Sequence, residues 1–116
     1  MRIGPRLELL LHALAFVLGV TLVSLLYRQS LLLAFLLAFM AAATLGTWRR
    51  AEEFYLFLSG AILGSLAEMA AVSFGAWQYA APDIAGIPLW LPMLWGLAFI
   101  FCARLAGLIH RLGRGK

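Results

Sequence analysis

The sequence predicts an all-α membrane protein, built as an antiparallel bundle of four transmembrane helices with both termini in the cytoplasm. Residues of the hydrophobic class make up 65% of the 116 positions and charged residues only 12%, a composition that no soluble single domain needs in order to bury a core. Four apolar runs each approach the ~20 residues that span ~30 Å of hydrocarbon. They lie at about residues 7–27, 31–48, 54–74 and 89–110, with an outer loop at 76–88, and form a single transmembrane domain over residues 1–116.

The positions of the basic residues predict the orientation. Apart from Arg28 and Arg104, the basic side chains flank the runs on one side of the membrane: Arg2, Arg6, Arg49, Arg50, Arg111, Arg114 and Lys116. By the positive-inside rule this side is cytoplasmic, which predicts an integral protein of the cytoplasmic (inner) membrane of a bacterium. The net charge of +4 at pH 7 is then explained by anionic lipid, and no nucleic acid is predicted as a partner.

The first and last runs contain polar residues that limit other interpretations. Glu8 and His12 interrupt the first run, which predicts a retained helix and not a cleaved signal peptide. The same two residues lie four positions apart on one helix face, as a polar pair at the interface or as a proton entry point. Cys102 is the single cysteine, so no intrachain disulfide, no cysteine metal site and no cofactor is predicted. Arg104 lies well inside the last run and is expected either to snorkel toward the cytoplasmic face or to pair with Glu8 or Glu53.

Glu68 is the acidic side chain that lies deepest within an apolar run. A carboxylate near the middle of a membrane helix costs roughly 3 kcal/mol, so it is tolerated where a partner or a cavity offsets that cost. At about 100° per residue, Gly64, Ser65 and Gly75 lie on the same helix face as Glu68, and all three are small. Glu68 is therefore expected to face the bundle interior or a cavity, and we predict it as a catalytic acid.

Aromatic residues and prolines follow Glu68 at high density. Pro82 and Pro88 stiffen the outer loop. An aromatic loop above a buried acid predicts a pocket on the outer side of the membrane, and an interfacial aromatic belt is the alternative. The predicted substrate-binding residues are Ser65, Trp77, Tyr79, Trp90 and Trp95.

Small residues recur along the third and fourth runs at spacings of three and four. In lipid, this spacing lets helix backbones approach closely. The predicted helix-packing positions are Gly60, Gly64, Gly75, Gly96 and Gly107.

A signature in the second half of the chain resembles known membrane proteins. It consists of Glu68, then Gly75-x-Trp77-x-Tyr79, then Gly86-x-Pro88-x-Trp90 and Trp95. This signature resembles small bacterial integral membrane proteins of unassigned function, and it is loosely similar to the membrane-embedded carotenoid-biosynthesis proteins of the hydratase and lycopene-cyclase-like families. The second resemblance implies an enzyme in which Glu68 protonates an isoprenoid double bond. Those families are longer and have more helices and more acids.

Three classes of function stay open from the sequence. The first is a structural or assembly subunit, or a binding module, with Glu68 buried under the outer loop. The second is a membrane-embedded enzyme or binding site for a lipid or isoprenoid. The third is a proton-coupled transporter, since a four-helix chain with one buried glutamate resembles the small multidrug-resistance transporters, which act as dimers; there, however, the acid lies in the first helix. The predicted partners are membrane lipid, a hydrophobic small molecule, and a second copy of the chain or a larger membrane protein.

Overall fold

The structure, a computed structural model, describes residues 4–48 and 51–114. Over these residues the chain forms four helices, so the predicted all-α four-helix class is confirmed. The helices are α1 (Pro5–Leu26), α2 (Ser30–Trp48), α3 (Ala51–Ser73) and α4 (Leu91–Arg114). Several basic residues used to predict the orientation lie outside the described residues, namely Arg2, Arg49, Arg50 and Lys116.

Three of the described helices, α1, α3 and α4, are long and apolar enough to cross a membrane. In α1, only 11% of the most apolar 18-residue stretch is buried against the rest of the described chain. Its side chains Leu14, Phe16 and Val17 are each more than half exposed, as expected for helices whose outer surface contacts lipid. The apolar part of α2 is shorter, Ser30–Gly46. The described residues therefore contain three clear candidate spans where four were predicted.

The helix ends differ from the predicted ones by a few residues, and the end residues explain why. α1 begins at Pro5, which suits the first helical turn because its missing N–H has no helical partner there. α3 begins early enough to include Glu52 and Glu53 in its first turn, where the positive end of the helix dipole stabilises acidic side chains. α4 extends beyond position 110, with Arg111 and Arg114 in its last turn, where cations are favoured.

Helix α4 lies at the centre of the bundle. Its most extensive contact is with α3, and both α1 and α2 also pack against it. The buried apolar side chains form two clusters, with Leu33, Leu37, Ile87, Trp90 and Leu91 in the first and Ala41, Phe57 and Ile100 in the second. Both clusters contain residues of α2 and α4, so α4 sets the positions of the other helices.

Glycines allow α3 and α4 to approach closely. A Cβ atom built on Gly64 would lie 2.2 Å from Cδ2 of Trp95, and one on Gly60 would lie 2.7 Å from the Trp95 carbonyl oxygen. On α4, a Cβ atom on Gly96 would lie 2.5 Å from the ring of Phe57. These three glycines therefore lie in the helix contact, and Trp95 fills the space that Gly64 leaves.

The other two predicted packing glycines meet no other helix among the described residues, so the packing role predicted for them needs correction there. A Cβ atom built on Gly75 or Gly107 would meet no atom within 4 Å. Gly107 is exposed on α4. Gly75 follows the end of α3 with a φ of +82°, a left-handed conformation that glycine adopts without strain. The spacing of small residues does not reveal which face of a helix a neighbour covers.

The outer loop contains a tight turn at Ala85 and Gly86. The flanking residues Ile84 and Ile87 form an isolated antiparallel bridge. Both turn residues have positive φ, 51° for Ala85 and 84° for Gly86, as in a type I′ turn. A side chain on Gly86 would overlap Val72 of α3, so this turn lies directly against the outer end of that helix.

Candidate functional site

The carboxylate of Glu68 accepts two hydrogen bonds from the outer loop. Trp77 Nε1 donates to Oε2 at 2.9 Å, and the Tyr79 hydroxyl donates to the same oxygen at 2.8 Å. We call these three residues the outer clasp. Hydrogen bonds to a carboxylate are strong, so the outer clasp offsets part of the cost of placing an acid within an apolar helix.

The end of α3 directs the chain back toward Glu68. Gly75 N–H donates to the Val72 carbonyl at 3.0 Å, and Ala76 N–H donates to the Ala71 carbonyl at 2.9 Å. This pair of bonds, with glycine in the left-handed conformation, is a Schellman motif. It ends the helix and reverses the chain within a few residues, so Trp77 and Tyr79 reach the carboxylate from above.

Tyr79 is the more buried donor of the outer clasp. Burial raises the pKa of its phenol well above the ordinary value, and the hydrogen bond to Glu68 and the charge of that carboxylate raise the pKa further. The Tyr79 ring also packs edge-on against Trp90, with ring centroids 6.3 Å apart and planes at 88°. Trp90 is 5% exposed, so Tyr79 connects the outer clasp to the apolar core.

Trp90 extends this connection to the first helix. Its Nε1 donates to the carbonyl of Tyr27 at 3.3 Å, directly after α1 ends. The Tyr27 hydroxyl in turn accepts a hydrogen bond from Arg28 Nε at 3.3 Å. The outer loop is therefore fastened to α3 through Glu68 and to α1 through Tyr27.

Asp83 holds the second half of the outer loop. Its Oδ2 accepts a hydrogen bond from the amide of Leu89 at 2.9 Å. A hydrogen bond from the Ser30 side chain and this amide lower the pKa of the Asp83 carboxyl. Because Ser30 begins α2, the outer loop contacts the ends of three helices.

A large apolar cavity lies between α1, α2 and α4. Its volume is about 600 Å³, and it extends along α1 from Leu11 and His12 to Val23 and Ser24. Gly19 lines the cavity and is buried, yet a Cβ atom built on it would meet no atom within 4 Å. The space beside Gly19 is therefore open.

A second cavity, of about 470 Å³, lies beneath the outer loop. It is lined by Tyr27, Tyr79 and Trp90, and it shares Val23 and Ser24 with the larger cavity. We call the two cavities together the α1 groove. From Leu11 to Tyr27 it follows α1 for about 24 Å at 1.5 Å per residue.

Arg104 lies at the far end of the α1 groove and forms a buried ion pair. Its Nε and Nη2 donate to the two carboxylate oxygens of Glu53 at 2.7 Å each, and Nη2 also donates to the carbonyl of Thr44 at 2.9 Å. The two charged side chains are 10% and 7% exposed. This pair joins α4 to α3 and α2, and Glu53 was one of the two partners expected from the sequence.

Glu8 and His12 also lie at this end of the bundle. Arg111 Nη2 donates to Glu8 Oε2 at 2.9 Å, and His12 Nδ1 donates to the Glu8 carbonyl at 2.7 Å. Both α1 residues are buried, whereas the Arg111 side chain is 45% exposed. The geometry is that of a polar pair which fastens α1 to the end of α4.

The structure divides the predicted site residues into separate groups. Trp77 and Tyr79 contact Glu68, and Trp90 contacts Tyr79. Trp95 instead fills the α3–α4 contact beside Gly64. Ser65 is buried on α3, and its hydroxyl has no hydrogen-bond partner among the described residues. Trp95, Ser65 and Glu68 line neither cavity.

Two residues of the α1 groove, Gly19 and Tyr27, were missed as site residues from the sequence. Gly19 is one small residue among several in α1, and the open space beside it depends on the positions of α2 and α4. Tyr27 precedes a short turn and resembles an ordinary interfacial tyrosine. Its proximity to Tyr79 gave no signal in the sequence, because the two residues are far apart along the chain.

Comparison of the chain with protein families, with curated proteins and with solved structures finds no match. The function of the chain is therefore inferred from its own residues and geometry.

Removing the carboxylate of the outer clasp is expected to release the loop. In Glu68→Leu, Trp77 and Tyr79 lose their shared acceptor. We therefore expect the free energy of opening the loop to fall by about 1.5 to 3 kcal/mol, the range for hydrogen bonds to a charged group. Hydrogen exchange of the amides in residues 76–90 measures the release. Glu68→Gln keeps an acceptor oxygen and should show a smaller increase in exchange. Unchanged exchange in Glu68→Leu would show that the outer clasp does not hold the loop.

The raised pKa of Tyr79 predicts a specific alkaline titration. The folded protein favours the neutral phenol, so this group stabilises the fold below the ordinary tyrosine pKa of ~10, and that stabilisation is lost as the pH rises through the higher folded value. Tyrosinate absorbance in wild type and Tyr79→Phe should therefore coincide near pH ~10 and diverge only in more alkaline solution. In Glu68→Gln, the Tyr79 pKa should fall yet stay above its ordinary value, since burial is the largest cause of the shift. A Tyr79 that ionises with the ordinary pKa would contradict the buried geometry.

Proposed function

We propose that the protein is a membrane protein that binds a long apolar chain, of the lipid or isoprenoid class, in the α1 groove. The observation that supports this function is that the two cavities lie along α1 and share the lining residues Val23 and Ser24. Together they follow α1 for about 24 Å, more than half of the ~30 Å hydrocarbon thickness. A groove of this length suits an extended chain better than a compact ligand.

In this function the outer loop closes one end of the groove and Glu68 is a positioning residue. Glu68 lines neither cavity, and Trp77 and Tyr79 both donate to its carboxylate. Protonation of an isoprenoid, or exchange of protons for cations, requires an acid that contacts the ligand. The geometry therefore supports a binding function over the enzyme and transporter alternatives.

The internal pairing of the acidic residues supports a binding module over an assembly subunit. Glu8, Glu53 and Glu68 each have a hydrogen-bond donor within the chain. The chain thus does not need a partner protein to satisfy Glu68. By the positive-inside rule the loop lies on the non-cytoplasmic side of the bacterial inner membrane, with Arg6, Arg111 and Arg114 on the cytoplasmic side.

Filling the α1 groove is expected to prevent binding. In Gly19→Leu, the new side chain enters the open space beside Gly19 and occupies the volume of the ligand chain. We expect the affinity for hexadecanol, an uncharged C16 probe, to fall by about tenfold or more, equivalent to ~1.4 kcal/mol. Native mass spectrometry of the full chain, extracted in mild detergent and stripped of lipid, measures the bound probe.

Gly107→Leu is the matched control. Gly107 also has open space around a built Cβ atom, but it is exposed and lines neither cavity. Hexadecanol binding should therefore be unchanged in Gly107→Leu. Equal binding by wild type and Gly19→Leu, or no binding by wild type, would overturn the proposed function.

A further inference from the structure

Aromatic residues form part of the wall of the cavity beneath the outer loop. Tyr27, Tyr79 and Trp90 line it, and the rings of Tyr79 and Trp90 pack edge to face with their planes at 88°. Aromatic rings carry negative charge on their faces, and several rings around one space are a recognised environment for a quaternary ammonium group. We call this part of the groove the aromatic cage.

The polar atoms of the aromatic cage are engaged within the protein. The Tyr79 hydroxyl donates to Glu68, Trp90 Nε1 donates to the Tyr27 carbonyl, and the hydroxyl of Ser24 donates to the carbonyl of Val20. An anion inside the cage would find these donors already committed, whereas an anion outside it would meet Arg28. A quaternary ammonium has no N–H to donate and needs no acceptor, so it fits walls that offer ring surfaces.

The charge around the aromatic cage favours a cation inside it and an anion beside it. Glu68 lies one hydrogen bond behind Tyr79, and donation to a carboxylate makes the phenol ring richer in electrons. On the exposed side, the guanidinium carbon of Arg28 lies 5.3 Å from the centroid of the Tyr27 ring. A phosphate next to the ammonium would neutralise Arg28, which a lone cation would not.

From this geometry we infer that the occupant of the α1 groove is a long-chain amphiphile of the choline-phosphate class. Its quaternary ammonium lies in the aromatic cage, its phosphate beside Arg28, and its hydrocarbon chain along α1. This inference rests on the proposed function and adds the chemistry of the headgroup to it. Tyr27 and Tyr79 are then specificity-determining residues, through their ring faces.

Three C16 probes with different heads test the inference. Native mass spectrometry of the full chain compares hexadecylphosphocholine, hexadecyl phosphate and hexadecanol, each below its micelle-forming concentration. Hexadecylphosphocholine is expected to bind most tightly, and Tyr27→Leu and Tyr79→Leu are each expected to weaken it by about 2- to 30-fold. That range corresponds to ~0.5 to 2 kcal/mol per cation–π contact, at ~1.4 kcal/mol for each tenfold.

Controls separate the ring effect from misfolding and from the groove itself. Tyr27→Phe and Tyr79→Phe keep the ring and should retain most of the preference for hexadecylphosphocholine. Hexadecanol binding in Tyr27→Leu and Tyr79→Leu measures any change in the groove itself, so the loss of affinity for hexadecylphosphocholine should exceed the loss for hexadecanol in both variants. Equal affinity for the three probes would overturn the headgroup assignment and leave chain binding standing. Failure of all three to bind would overturn the proposed function and the headgroup assignment together. Tetramethylammonium binding as tightly as hexadecylphosphocholine would overturn the assignment to an amphiphile.

Discussion

An Arg104→Met variant is expected to lose about 3 to 5 kcal/mol of unfolding free energy, because it leaves the Glu53 carboxylate buried without its counter-ion. Both charged side chains are nearly inaccessible, so solvent offers little compensation. The same change removes the donor to the Thr44 carbonyl. Titration of the detergent-solubilised protein with SDS, followed by circular dichroism, measures the loss.

Two further variants identify the cause of that loss. A double variant, Arg104→Met with Glu53→Met, removes both charges and should recover much of the lost stability, since an apolar pair of similar volume avoids the desolvation cost. Arg111→Met breaks the pair with the buried Glu8, but the arginine side chain is 45% exposed and the pair is reached by solvent, so this variant should lose less stability than Arg104→Met. A double variant as unstable as Arg104→Met alone would show that packing of the arginine stem, and not charge, is the main contribution.

A Gly64→Ala variant is expected to destabilise the α3–α4 contact by about 1 to 3 kcal/mol, the usual cost of inserting a methyl group into a tightly packed site. The added Cβ atom would lie within 2.2 to 2.7 Å of three Trp95 ring atoms. Trp95 has little room to move, because its ring packs edge-on against Phe99 at 6.3 Å. The same SDS titration measures the effect.

Gly107→Ala is the control with the opposite expected sign. Its Cβ atom meets no atom within 4 Å, so the substitution should be neutral or stabilise α4 by up to about 1 kcal/mol through helix propensity. Equal effects of Gly64→Ala and Gly107→Ala would contradict the close contact of Trp95 with Gly64.

Gly64→Ala and Arg104→Met also separate an effect on stability from an effect on binding. Gly64, Trp95 and Glu53 line neither cavity, so Gly64→Ala should unfold more easily while the folded fraction still binds hexadecanol. Arg104 lines the inner end of the α1 groove. Arg104→Met is therefore expected to affect both stability and the groove.

Much of the candidate site was visible in the sequence as separate features. The deep position of Glu68 and its small neighbours predicted a side chain turned away from lipid, and the aromatic loop predicted a cap. The particular contacts were not predictable. Trp77 and Trp95 are both tryptophans near the outer end, yet one donates to Glu68 and the other fills the space at Gly64. Composition does not distinguish these roles, because each depends on which helix face lies opposite.

The outer loop shows the same limit at the level of the backbone. Gly75 and Gly86 are natural turn residues, and both have positive φ. Ala85 also has positive φ, which an L-residue with a side chain seldom adopts. Ala85 is held in this conformation by the bridge between Ile84 and Ile87 and by the close approach of Gly86 to Val72. No local sequence pattern indicates a positive φ at Ala85.

The sequence by itself determined the all-α class, the apolar character that suits a membrane, and the presence of an acid beneath an aromatic loop. These properties depend on composition and on periodicity along single helices, which are local. Only the tertiary structure decided that Glu68 holds the loop and lines neither cavity. It also decided that two cavities with shared lining residues follow α1 and end at Tyr27, Tyr79 and Trp90. Those properties depend on distances between residues far apart in the chain, which are set when the four helices pack together.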